Sequence, residues 1–275
     1  MRRLTLFLTA LLAACTPVTA PDNTIGATAL PIDGAPVTID AVLDGDSVKV
    51  DQDGTAIEVR LLGINAPERG ECWADEARAA LSAALQDGGI SLVGDETDQY
   101  GRLLGYLHSG TDNINRDLVI NGHAIAIAVD HEYLPDFLAA EEEAIALERG
   151  LWNPTACGSS ADRFDVRIWA IEPDAPGRDD RNPNGEFVAL TNEGPDADLT
   201  GWTIRDESSA HRYRFPDGFV LATGEIITVR SGCGVDARPD IYWCADGTVW
   251  TNSGDTVLLL DDFGAVVDRV RYLEG

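Results

Sequence analysis

Every helix-period pattern in this 275-residue sequence falls between residues 71 and 149, and none follows. That partition constrains the fold more than composition does: a helix-bearing unit must be followed by an all-β one. The length suits two domains at the usual ~100–200 residues each. In the first unit, Val37–Val42 and Ser47–Val50 read as short strands, and Asp53-Gly54 marks a hairpin turn before a strand at Ile57–Leu62. Glu71–Leu85 has a helical pattern with Asp75 and Glu76 in its early turns. Ile90–Val93 and Leu103–His108 read as two more strands, Asn115–Asn121 as a short helix ending at Gly122, and Pro135–Arg149 as a third helix closing at Gly150. This order predicts a β-rich α+β unit over residues 35–158, a small five-stranded barrel with three helices packed on it.

Residues 159–275 open with a short joint, Ser159–Arg163, and continue as β-rich runs: Phe164–Ile171, Glu186–Thr191, Trp202–Ile204, Phe219–Val229, Thr256–Leu260 and Ala265–Tyr272. Punctuation such as Pro183-Asn-Gly185 and Asn252-Ser-Gly-Asp255 separates them, as in an all-β immunoglobulin-like sandwich.

The N-terminus carries Arg2 and Arg3, then Leu4–Ala14. That run is too short to span a membrane, which needs roughly 20 apolar residues, and has the layout of a secretory signal. Leu12-Ala-Ala-Cys15 resembles a bacterial lipobox. The expectation is a signal at residues 1–15, a lipid on Cys15, a flexible tether at 16–34, and a protein on the outer face of the cell membrane or secreted. The alternative is a cleaved signal in which Cys15 is incidental. Cys72, Cys157, Cys233 and Cys244 remain, and four cysteines in an exported protein predict two disulfides in one of three connectivities. Cys233 and Cys244 flank one hairpin, and Cys72 and Cys157 bracket the helices, which favours those pairs; buried free thiols are the alternative for Cys72 and Cys157. With no CxxC and four scattered histidines, no zinc pattern appears.

Several polar motifs follow one another in the first unit: Leu43-Asp-Gly-Asp-Ser-Val48, Arg60-Leu-Leu-Gly-Ile-Asn-Ala-Pro-Glu68, Tyr100-Gly-Arg102, and Asn115 with Leu118 and Gly122, before a closing Gly-Leu-Trp152. Together they resemble the staphylococcal nuclease-like (thermonuclease) domain. The resemblance implies an OB-type barrel and a calcium-dependent endonuclease of DNA and RNA. Chemically, the positions suit phosphodiester hydrolysis, in which water attacks while charge builds on the phosphorane oxygens. Arg60 and Arg102 would offer planar guanidinium forks to that phosphate. Glu68 would orient or deprotonate the water. Taken one at a time, either arginine could equally be a surface ion pair and Glu68 a solvated charge.

The same resemblance makes Asp46 a Ca2+ ligand, with Asn65 where the family has a second carboxylate and Ala66 ligating through its carbonyl. Hard cations accept such oxygens, but an amide in place of a carboxylate removes a charge and should weaken affinity. Asp44 is an outer-shell acid or simply the turn that Asp-Gly favours. Tyr100 lies near the phosphate or packs in the barrel. The family's further active-site tyrosine falls at Ala128 by ungapped counting, which makes Tyr133 a substitute candidate for substrate binding. The phosphate-contacting lysine beside Tyr100 is here Gln99. Trp73 and Trp152 read as helix-packing residues rather than base-stacking platforms.

A net charge of −27 opposes tight nucleic-acid binding, since phosphate neutralisation normally supplies much of the affinity. Residues 35–158 hold 7 Lys+Arg against 23 Asp+Glu, and Lys49 is the single lysine. Distant acids are screened within roughly 8 Å at physiological salt, so a local cationic pocket can still hold one phosphate. Weak, distributive binding by a monomer is expected.

In the second unit, Asn184-Gly-Glu-Phe-Val-Ala-Leu-Thr-Asn192, Leu199-Thr-Gly-Trp-Thr-Ile204 and Gly254-Asp-Thr-Val-Leu-Leu-Leu260 resemble the lamin-tail domain, with Phe187 and Trp202 as core. That resemblance implies no catalysis and leaves a cell-envelope or polymer ligand open. The rival reading is a catalytically weak surface lipoprotein that binds nucleic acid or envelope as an adhesion module through the sandwich.

Overall fold

The computed structural model describes residues 34–158, 165–178, 181–208 and 210–273. Cys15, the signal, nearly all of the tether and the Ser159–Arg163 joint lie outside the described residues. The first unit contains β1 (Ala35–Pro36), β2 (Thr38–Val42), β3 (Ser47–Gln52), β4 (Thr55–Leu61), β5 (Ile64–Asn65), α1 (Ala74–Ala84), β6 (Ile90–Thr97), β7 (Leu103–Ser109), β8 (Asp112–Asn113), α2 (Ile114–Ile120), β9 (Ile125–Ala126) and α3 (Leu134–Ala146). The main sheet runs β1-β6-β7-β4-β3-β2, with β8 on β7. β1 and β2 are consecutive pieces of one extended segment interrupted only at Val37, whose N–H donates to Ile90 O at 3.0 Å. One segment therefore pairs with both ends of the sheet and draws them together in the manner of a barrel.

Local chemistry explains these elements. β3 and β4 are joined by two residues, Asp53 and Gly54, both at positive φ as a tight hairpin demands. The first helix begins at Ala74, three residues later than its pattern predicts, because Cys72 is bound to Cys157 and Trp73 sits at φ 70°. The third ends at Ala146 rather than Arg149, with Glu148 at φ 50° closing it. The barrel core gathers Val48, Val59, Leu61, Leu81, Leu107 and Phe137.

The second unit comprises β10 (Val166–Glu172), β11 (Phe187–Asn192), β12 (Ala197–Asp198), β13 (Thr203–Arg205), β14 (Arg212–Arg214), β15 (Val220–Leu221), β16 (Ile226–Arg230), β17 (Asp240–Tyr242), β18 (Gly254–Leu260) and β19 (Val266–Leu273). Two four-stranded sheets, β10-β11-β16-β17 and β14-β13-β18-β19, enclose Trp202, Phe215, Leu190, Ile204 and Leu259. The run Phe219–Val229 divides into β15 and β16 because a turn closes between Ala222 and Glu225. Arg212-Tyr-Arg214 gave no apolar signal, yet it pairs fully with β13. The second disulfide joins Cys233 to Cys244.

The described residues of both halves, from 34 to 273, form one compact unit. The reason is visible in β18, every residue of which is buried. Val257 and Leu259 enter the sandwich core, while Leu258 packs with Ile125 and Leu151 of the first unit, flanked by Trp73 and Trp152. A strand buried on both faces needs this continuous apolar run. Beside it, Arg271 Nη2 meets Glu141 Oε2 at 2.6 Å, Arg269 Nη1 meets the same oxygen at 3.3 Å, and Ala126 N–H donates to Glu141 Oε1 at 2.9 Å.

Candidate phosphodiesterase site

The site grows from the parallel pairing of β4 with β7, in which Arg60 stands opposite Leu104. Arg102 precedes Leu104 by two residues, so alternation puts both arginines on one face of the sheet, one pleat apart. They line a cavity of about 250 Å³ together with Asp98, Gln99, Tyr100 and Ile127.

The two guanidinium groups are held differently. Arg60 Nη1 donates to Leu61 O and Ile64 O, both at 2.9 Å. Its Nη2 donates to Asn65 Oδ1 at 2.8 Å and lies 3.1 Å from Asp46 Oδ2. Four N–H groups are thereby committed to Leu61, to Ile64 and Asn65 of β5, and to Asp46. Arg102 is anchored through Nε alone, which donates to Asp98 Oδ2 at 2.7 Å. Asp98 Oδ1 accepts the backbone N–H groups of Tyr100 and Arg102, both at 2.9 Å. Burial works against the charged Asp98, but the Arg102 N–H, its guanidinium and the Tyr100 N–H outweigh it and hold the carboxyl below its ordinary range. Both Nη groups of Arg102 are without a hydrogen bond or ion pair among the described residues. The Tyr100 ring is 77% exposed, with the Arg102 guanidinium carbon 5.7 Å from its centre. It is not a barrel-packing residue. Asp98 was missed by sequence reasoning, although its place in Asp98-Gln-Tyr-Gly-Arg102 is the turn position that a carboxylate caps.

Below Arg60 lie the oxygens expected for a cation. Asp46 is 6% exposed, and burial pushes its carboxyl up to about 6 against the pull of Arg60 and the Ala66 N–H. That N–H donates to Asp46 Oδ2 at 2.7 Å, and Ser47 Oγ donates to Oδ1 at 3.0 Å. Asp46 and Asn65 thus direct one oxygen each at the same guanidinium nitrogen. The donors are hard oxygens around a buried acid whose ionisation costs free energy, which fits a hard divalent ion. Asp44 Oδ1 accepts the Asp46 N–H at 3.0 Å, which is the turn role of an Asp-Gly pair. No group of three metal-ligating His, Cys, Asp or Glu side chains forms among the described residues. Gly45 has a steric reason: a Cβ there would stand 2.6 Å from Ala66 Cβ and 2.8 Å from Ala77 Cβ, pushing the Asp46 turn away from the ligand loop.

Two candidates sit elsewhere. Glu68 is exposed on the loop after Pro67, is absent from the lining of the arginine cavity, and its carboxylate makes no hydrogen bond or ion pair among the described residues, its charge being felt by Arg205 of the sandwich. Tyr133 is half-buried, packed edge-on to Tyr106 at 4.8 Å and stacked on Phe137 at 6.1 Å, where its ring fills the gap between α3 and β7. The structure therefore gives Tyr133 a packing role in place of the expected substrate contact. Ala128 is taken up by the seam, its N–H donating to Glu207 Oε1 of the sandwich at 2.7 Å. A tyrosine at that buried position would have no room.

Residues 58–154 match the staphylococcal nuclease homologue family, and residues 159–274 match the lamin tail domain. Protein ParB of Escherichia coli is 30% identical over 122 residues, 41% of this chain and 69% of ParB. The SPbeta prophage-derived endonuclease YokF of Bacillus subtilis is 30% identical over 129 residues, 42% of this chain and 44% of YokF. An endonuclease of Haemophilus influenzae is 31% identical over 112 residues, 40% of this chain and 62% of the relative. The chain thus spans between under half and about two thirds of the length of these relatives. Through its first unit the chain belongs to the staphylococcal nuclease homologue family of phosphodiester-cleaving enzymes, and it carries a lamin tail domain behind it.

Proposed function

We propose that this chain is an endonuclease that hydrolyses phosphodiester bonds of DNA and RNA, aided by calcium, and that it works outside the cell, anchored by a lipid on Cys15. The observation that carries the catalytic reading is the shared cavity in which Arg102 presents open Nη groups beside Arg60 and an exposed Tyr100. In this reading Arg102 donates both Nη groups to the equatorial oxygens of the phosphate, where charge grows in the transition state. Arg60 holds the floor of the site. Tyr100 stacks on a base next to the scissile bond. Asp46, Asn65 and the Ala66 carbonyl would hold the ion, which when bound supplies Lewis-acid polarisation of phosphate and water. Glu68 takes the proton of the attacking water.

The test is cleavage of single-stranded DNA by the full chain with millimolar calcium, with a chelator, and as Arg102→Ala. Calcium-dependent cleavage lost in the variant is expected. Folded protein that cleaves nothing across a range of salt would sink the reading. The anchor has a separate test: Cys15→Ser should release the protein into the medium, and unchanged membrane retention would refute it.

A further inference from the structure

The lamin tail domain contacts the very loop that carries Glu68. Arg212, on β14, donates through Nη2 to Glu71 Oε1. The other oxygen of Glu71 accepts the Glu68 backbone N–H at 2.9 Å, while the Glu71 N–H donates to Glu68 O at 2.8 Å. Glu68 is therefore tied front and back to Glu71, and Glu71 is tied to the second domain. A second arginine, Arg205 on β13, is 6% exposed and faces the same carboxylates. Its burial lowers the guanidinium pKa, with Glu71, Asp206 and Glu68 pulling the other way. For Glu71, burial would raise the carboxyl, but the Arg212 and Glu68 N–H bonds and the charges of Arg205 and Arg212 bring it below its ordinary value. The loop's far end is pinned by the Cys72–Cys157 disulfide. A cavity of about 220 Å³ lies between the loop and the sandwich, lined by Pro67, Gly70 and Glu71 on one side and Arg205, Arg212 and Arg214 on the other.

We infer that Arg212 is a positioning residue for hydrolysis: through Glu71 it fixes the loop from which Glu68 reaches the attacking water, so that the lamin tail domain completes the nuclease domain's site. The inference rests on the role proposed for Glu68. A carboxylate that must meet a water within hydrogen-bond reach loses efficiency steeply when its backbone wanders, and misplacement by about 1 Å can cost on the order of 10²-fold. An exposed loop residue acquires that precision only if its backbone is held by something rigid, and the sheet in which β14 pairs with β13 and β13 with β18 supplies it.

The experiment uses the full chain as Arg212→Ala, Arg212→Lys and Glu71→Gln, with Arg214→Ala as the control from the same strand. Steady-state cleavage of single-stranded DNA is measured beside hydrogen exchange of the peptide covering residues 66–73. Arg212→Ala should lower kcat by about 10- to 100-fold with KM nearly unchanged, and the Glu68 amide should exchange faster while the sandwich stays protected. Glu71→Gln should act in the same direction, Arg212→Lys should recover part of the loss, and Arg214→Ala should match the wild type. Wild-type kcat and wild-type Glu68 protection in Arg212→Ala would overturn the inference, as would a loss confined to KM. If the wild type cleaves nothing, the nuclease reading has failed, and the exchange arm still decides whether Arg212 holds the loop.

Discussion

Two regions of this acidic protein concentrate arginines, and they use them in opposite ways. At the seam, Arg269 and Arg271 converge on Glu141, a fully buried carboxylate of α3, and Arg271 donates further to Thr256 Oγ1 and Ala126 O. At the cavity beside β7, Arg102 is anchored by one nitrogen and keeps its outer edge open. Guanidinium groups held through two nitrogens belong to the architecture, and the open one is the place proposed for a phosphate. Arg60 stands between the two cases, with four N–H groups committed yet a wall in the cavity. In a chain of charge −27 the cations are few, and at the seam they are spent on buried acids, which leaves the open edge of Arg102 as the place where an anion could be held.

The largest effect should come from the seam. Glu141→Ala leaves two arginines facing each other out of water, and removal of one partner from a buried ionic cluster costs about 3–5 kcal/mol. Urea unfolding would measure it, and a loss below about 1 kcal/mol would place the seam with ordinary surface pairs. Next comes the open arginine. Arg102→Ala should lower kcat about 10²- to 10³-fold, equivalent to about 3–4 kcal/mol, with an unchanged melting temperature. Arg60→Ala should lower both, because the same side chain supports β5 through Ile64 O and Asn65 Oδ1. Equal melting temperatures for the two variants would erase the distinction between them.

How much of this was legible in the sequence follows the same division. The Asp53-Gly54 hairpin, the three helices and the Arg60 and Arg102 motifs depend on residues close in the chain, and their chemistry is written locally. The continuous apolar run Val257–Leu260 also signalled burial, but not that Leu258 would face a second core. Arg205, Arg212, Arg269 and Arg271 carried no signal, because each acquires its meaning from an acid more than a hundred residues away: Glu71 for the first two, Glu141 for the others. A tyrosine before a helix serves equally as packing or as ligand, and only the fold shows the rings of Tyr106 and Phe137 against which Tyr133 packs.

A third change tests whether the seam is a pH-sensitive element. Burial, then the nearby Asp255 charge, push the Glu207 carboxyl up from 4.5 to about 7. The unfolded chain therefore releases that proton near 4.5 while the native protein keeps it to about 7, and the native state carries the extra proton in between. Stability is full below 4.5 and declines as pH rises through that window, by up to about 3 kcal/mol. Glu207→Gln mimics the protonated form, accepting from Ala128 N–H and donating to Thr256 Oγ1. It should flatten the slope between pH 4.5 and 7, measured by denaturation at several pH values. An unchanged slope would mean that the seam does not release this proton on unfolding.

The smallest change sharpens the open side. Tyr100 buries little and contacts chiefly Arg102, so Tyr100→Ala should leave the melting temperature in place. Loss of one base-stacking ring weakens single-strand binding by about 1 kcal/mol or more, roughly a fivefold rise in Kd. Tyr133→Ala should do the reverse, lowering the melting temperature by removing a ring from the Tyr106–Phe137 cluster and leaving Kd unchanged. Binding of a non-cleavable phosphorothioate oligonucleotide, followed by fluorescence anisotropy, separates the two without reference to catalysis. If Tyr133 rather than Tyr100 governs affinity, the substrate runs over the α3 side of the barrel, and the open edge of Arg102 is not where the strand lies.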